Sequence, residues 1–148
     1  MTLLKLIALE PSDLTVVAAH LQDAVIMVGD ITYSNTARRF AALCNRLHRQ
    51  DDVGGRAELQ RRRAALRIDR VASVRFQGFL RDDRNTVLSV LTLNFAAVAD
   101  PAMAPAGTLT IVCAGGASLQ LEVECVELAL EDLGPAWKAG GEPQHFIA

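Results

Sequence analysis

The stretch ECVELALEDL, Glu124 to Leu133, decides the fold, because the hydrophobic period changes there. The preceding SLQLEV (118–123) alternates strictly. Leu119, Leu121 and Val123 share one side, and Gln120, Glu122 and Glu124 share the other, the pattern of a half-buried strand. Within ECVELALEDL, Val126, Ala129, Leu130 and Leu133 recur at helical spacing. Glu124, Glu127 and Glu131 then lie on the far side, and Gly134–Pro135 stands where such a helix would stop. This reading predicts a C-terminal helix with an acidic outer face made by Glu124, Glu127 and Glu131.

Upstream of it, TLTIVC and SLQLEV read as two strands joined by AGGA, where Gly115–Gly116 supplies the positive φ of a tight hairpin. VLSVLTLNF (87–95) is apolar on both faces, as expected of a central strand. DPAMAPAG (100–107), RDDRN (81–85) and DDVGG (51–55) read as loops and turns. From Leu66 the chain alternates again. Leu66, Ile68, Ala72, Val74 and Phe76 point one way and Arg67, Asp69, Ser73, Arg75 and Gln77 the other. The phase breaks at Arg70–Val71, which predicts a bulge or hairpin bend.

AVIMVGDITY (24–33) is a β-branched strand pattern, followed by the turn cluster SNTA. RRFAALCNRLHR (38–49) fits two periods. Phe40, Leu43, Cys44 and Leu47 would make a helical face; Ala41, Leu43 and Leu47 would share one face of a strand. Strand is the reading adopted, since a hairpin with the preceding strand explains the short turn. Near the N-terminus, LKLIAL is a strand. PSDLTVVAAHLQDA is a helix whose face is Leu14, Val17, Ala18 and Leu21, with Ser12 or Asp13 as its cap. The sum is an α+β fold: a mostly antiparallel sheet of about six or seven strands with one N-terminal and one C-terminal helix, similar to a pleckstrin-homology-like topology. One domain is expected over residues 1–137, with a loose tail over 138–148 and Trp137, just before it, folding back.

With 51% hydrophobic and 22% charged residues, the chain has a globular composition, not a disordered one. No apolar run reaches the 18 or so residues of a membrane span. MTLLKLIALEPSDL lacks a small-residue cleavage site, which predicts no signal peptide. Cys44, Cys113 and Cys125 are odd in number and widely spaced, so they read as reduced core thiols of a cytoplasmic protein.

Charge is distributed unevenly. All thirteen arginines lie between Arg38 and Arg84, among six acids and no lysine, while residues 1–37 and 85–148 are net negative. Arg61, Arg62, Arg63, Arg67 and Arg75 form the candidate basic surface. Such a block can attract nucleic-acid phosphates, dock a protein partner, or pair with the acidic C-terminal third within one molecule or between two. Phe40, Phe76 and Phe79 lie in apolar phase and read as core, not as base-stacking platforms.

The motifs of chemistry are missing. His20, His48 and His145 are far apart, and no CxxC, HExxH or GxSxG occurs. VCAGGAS joins two strands instead of entering a helix, so it reads as a turn and not a phosphate cradle. Asp51–Asp52, Asp82–Asp83 and Glu131–Asp132 read as solvated acid pairs. The sequence identifies no catalytic residue, metal ligand or cofactor. It points to a non-catalytic interaction module, associating with itself or another protein. Nucleic-acid binding through Arg38–Arg84 is the alternative, and an enzyme assembled from distant residues is the second alternative.

LKLIALEPSDL, LQDAV, DITY, RRFAAL, IDRV and GTLTIVCAGGASLQLEVECVELALEDLGPAW resemble an alphaproteobacterial family, domain of unknown function 2948, from about Leu3 to Trp137. The chain departs from the family's pattern at His48–Gln50. The resemblance implies a bacterial, cytoplasmic protein and favours the strand reading of RRFAALCNRL. It carries no functional residue with it.

Overall fold

The computed structural model describes residues 3–51, 57–134 and 137–138. Nine strands and one helix follow in chain order: β1 (Lys5–Ala8), α1 (Leu14–Leu21), β2 (Val25–Ser34), β3 (Arg39–Asp51), β4 (Ala57–Ile68), β5 (Val71–Gln77), β6 (Val87–Ala97), β7 (Gly107–Cys113), β8 (Ser118–Val123) and β9 (Leu128–Asp132). A two-residue β10 (Trp137–Lys138) pairs with β4, so the backbone does fold back at Trp137. Every pairing is antiparallel, in the order β1-β9-β4-β3-β2-β6-β7-β8-β5.

Two expectations are overturned. The sheet has nine strands in its main path, not six or seven, and among the described residues α1 is the only α-helix. The predicted C-terminal helix is a strand. Val126, Leu128, Leu130 and Asp132 are buried while Ala129, Glu131 and Leu133 face outward, a period of two. The pleckstrin-homology-like topology rested on a strand-rich body closed by that helix, and it falls with it. RRFAALCNRLHR is a strand, as read. Its core side, however, is Phe40, Ala42, Cys44 and Arg46, the opposite face from Ala41, Leu43 and Leu47.

The sheet curls on itself. β5 ends the strand path, yet it continues β4 after only Asp69 and Arg70. Arg70 sits at φ 63 and the ladder shifts register between Val71 and Ser73, the expected phase break. The Val71 amide donates to the Arg38 carbonyl and the Glu124 amide to the Arg70 carbonyl, carrying hydrogen bonding across the corner. One apolar core results, drawn from all nine strands and α1, with Phe40, Ile26, Leu66, Leu109, Ile111 and Leu130 fully enclosed. Leu14, Val17 and Leu21 of α1 pack against it. The Asp13 carboxylate accepts from the Leu9 and Glu10 amides, so it holds the turn into α1 instead of capping the helix's own amides. The hairpin between β7 and β8 turns on Gly115 and Gly116, at φ 77 and 84.

Candidate functional sites

β3, β4 and β9 bring three ionic side chains into the otherwise apolar interior. Arg46 and Arg62 are direct cross-strand partners, and Asp132 pairs with Ala64, two residues along β4 from Arg62. All three side chains point inward and are buried. Arg46 grips Asp132 with two bonds, Nε to Oδ1 at 2.8 Å and Nη2 to Oδ2 at 2.9 Å. The Leu4 amide donates to Oδ2 at 2.9 Å, and the Arg62 Nη1 lies 3.8 Å from the same oxygen. One carboxylate thus ties β1, β3, β4 and β9 together.

His20 of α1 and Cys44 of β3 lie close enough for these charges to act on them. Sequence spacing gave no hint of this grouping. It brings an imidazole and a thiol within electrostatic reach of the buried carboxylate and its guanidiniums. Asp132 pays for its burial but is held below the usual carboxylate range by Arg46, the Leu4 amide and Arg62, so it stays ionised. Burial pushes the Cys44 thiol up to about 12, and Cys113, away from the cluster, up to about 11. Both are protonated at neutral pH. Burial and the Arg46 charge lower His20, leaving it neutral. Cys44, Cys113 and Cys125 are free thiols. Among the described residues no three His, Cys, Asp or Glu side chains form a metal-ligand set.

Four of the five arginines of the candidate basic surface lie on β4, divided between its two faces, and Arg75 lies on β5. Arg62 is interior. Arg61 donates Nη1 to the Asp23 and Asn45 carbonyls at 2.9 and 3.2 Å. Arg63 reaches the Asn45 side chain at 3.4 Å and Asp30 at 3.7 Å. Arg67 pairs with Asp69 at 3.2 Å, and Arg75 lies 4.0 Å from Glu122. Two residues of the candidate acidic face are likewise engaged: Glu124 meets Arg38 at 2.8 Å and Glu127 meets Arg70 at 3.9 Å. Glu131 stands across from Lys5 in the β1–β9 ladder. The lopsided charge map is therefore answered largely within the molecule, because the antiparallel order sets β4 and β5 beside β9 and β8. Beside the corner at Arg70, Arg38, Arg39, Arg67 and Arg70 surround Asp69, Glu124 and Glu127 in an open groove of about 640 Å³. His48 belongs to β3, but its side chain, and all of His145, lie outside the described residues.

A different surface went unread in the sequence. The Asp132 amide donates to the Leu4 carbonyl, so the hydrogen-bonded pairs of the β1–β9 ladder are those of Leu4, Leu6 and Ala8. The amides and carbonyls of Lys5 and Ile7 consequently point to the outer edge. Along that edge Leu3, Ile7 and Leu9 are 50%, 60% and 61% exposed, and Leu133 of the same outward face is 52% exposed. The signal was present as an odd-numbered apolar series, Leu3, Ile7 and Leu9, in a strand whose even residues already fill the core.

Residues 4–145 match the family described as Protein of unknown function (DUF2948). The chain belongs to that family. The match spans the interior ionic cluster, the corner at Arg70 and the whole of β1. No curated protein and no solved structure matches the chain. Among the described residues no helix is long and apolar enough to cross a membrane.

Proposed function

We propose that this protein is a non-catalytic interaction module that associates with a second copy of itself through the outer edge of β1. The observation that carries this reading is the edge: a row of outward backbone groups at Lys5 and Ile7, bordered by exposed Leu3, Ile7, Leu9 and Leu133. Natural edge strands are usually blunted by charge, proline or a covering element; Lys5 is the one charge on β1, and the exposed apolar side chains around it make the edge a docking template. Antiparallel pairing centred on Leu6 sets each Lys5 opposite the other copy's Ile7. It uses only backbone groups that face away from β9. Each Lys5 keeps its own cross-strand Glu131, and Leu3 comes beside the other copy's Leu9.

The reactive groups support the same reading. The buried thiols and the saturated Asp132 serve packing and cross-strand ties, and the arginines along β4 are held by acids or carbonyls. An interface of one short strand belongs to the small, transient class, so association is concentration-dependent. Sedimentation equilibrium of the wild type and of Ile7→Lys tests it. The wild type forms a dimer at high concentration and the variant remains a monomer with an unchanged circular dichroism spectrum. A wild type that is monomeric at every concentration contradicts the reading.

A further inference from the structure

Where the curled sheet closes, β2 and β5 face each other without a ladder, and side chains fill the gap. β2 shifts register between Ile26 and Ile31, so its inward phase moves from Ile26 and Val28 to Ile31 and Tyr33. The Tyr33 hydroxyl donates to the Val71 carbonyl of β5 at 2.9 Å. The loop after β5 returns beneath this gap, and the Gly29 amide donates to the Arg84 carbonyl at 2.8 Å. A Cβ at Gly29 would stand 2.9 Å from that oxygen, so glycine allows the loop its close approach. A small, partly open hollow of about 100 Å³ remains, lined by Val28, Ile31, Tyr33, Phe76, Arg81 and Arg84.

Its two arginines differ from those at the corner groove. Arg38, Arg39, Arg67 and Arg70 each have a carboxylate within 4 Å, whereas among the described residues neither Arg81 nor Arg84 has one, although Asp82 and Asp83 lie between them in the chain. Arg81 lies over the Phe76 ring at 5.3 Å, and Phe76 is itself held edge-on by Phe79. Arg84 donates Nη2 to the Gly29 carbonyl at 3.0 Å, which fixes the guanidinium beside the hollow that it lines. Two oriented guanidiniums at the rim call for an oxyanion, and the Val28–Ile31 wall calls for an apolar body. The volume, roughly that of three waters, admits only a short apolar group, with the carboxylate held on the arginines at the rim.

We propose that this hollow binds a small carboxylate with a short branched apolar group, its oxygens on Arg81 and Arg84 and its body against Val28 and Ile31. Such a group is found on a free short-chain acid and at the C-terminus of a peptide ending in valine. The site is independent of the β1 edge. Titration of the isotopically labelled full chain with isovalerate, followed by NMR, tests it. Saturable shifts at the Gly29 and Tyr33 amides are expected, and Arg84→Gln and Arg81→Gln each weaken binding by about tenfold while leaving the remaining spectrum in place. A short peptide ending in valine, titrated in parallel, distinguishes the sources: the tighter of the two probes identifies the natural form. Binding of inorganic phosphate as tight as isovalerate, binding unaltered in both arginine variants, or no saturable shift with either carboxylate overturns the proposal.

Discussion

The interior cluster of Arg46, Arg62 and Asp132 and the corner groove of Arg38, Arg39, Arg67 and Arg70 use the same chemistry with opposite consequences. Both join the arginine-rich middle of the chain to its acidic end. Inside, Arg46 and Asp132 are 4% and 0% exposed, and the carboxylate has four donors around it. At the corner, Arg38 and Glu124 are 48% and 47% exposed, and water competes for each charge. A buried pair is costly to break because its survivor is left charged in a poor solvent; an exposed pair is simply rehydrated. Sequence charge alone does not separate the two, and position on the sheet does.

The largest expected effect comes from breaking the interior cluster. Asp132→Ala leaves two guanidiniums buried and frees the Leu4 amide, and should destabilise the fold by about 3–5 kcal/mol in urea unfolding. Replacing all three ions with apolar residues, as Arg46→Met, Arg62→Met and Asp132→Leu together, should recover most of that loss, since the charges need no partner once removed. A triple variant as unstable as Asp132→Ala would show that the cluster contributes more than mutual neutralisation.

Acid separates the two regions by a second route. His20 is lowered by burial and by Arg46, so its neutral form is the folded one. Stability is full above the ordinary histidine value of 6.5 and declines as pH falls below it toward the lowered folded value. Asp132 is also lowered, so a further loss begins below the ordinary carboxyl value of 3.8 and completes as pH falls through its folded value. His20→Gln should remove the first decline and Asp132→Asn the second, measured as urea midpoints against pH.

The interior cluster also explains where the sequence misleads. α1, the Gly115–Gly116 hairpin, central β6 and the break at Arg70–Val71 were legible because local period and turn chemistry agree there with the fold. β9 was not. Its inward series is Val126, Leu128, Leu130 and Asp132, and the aspartate breaks the alternation and leaves a helical spacing by coincidence. Arg46 does the same in β3, turning attention to Ala41, Leu43 and Leu47. Both errors come from ions at core positions whose partners lie 86 residues apart in the chain. Arg62, counted with the surface arginines, is the third case.

At the corner, smaller effects are expected. Glu124→Gln removes the partner of Arg38 but leaves both groups in water, so stability should change by less than about 1 kcal/mol. High salt should erase even that difference. A loss comparable with Asp132→Ala would mean that the corner is an energetic clasp of the curled sheet.

If the arginine-rich middle meets its acids within the chain and the proposed association uses the β1 edge, salt and a charge on that edge act differently on the dimer. Sedimentation equilibrium of wild type and Ile7→Lys at low and high sodium chloride separates the two. A concentration-dependent dimer that persists in high salt and is absent in the variant is expected. A dimer that dissolves in salt and survives Ile7→Lys is the opposite outcome, and it would place the contact on the charged residues.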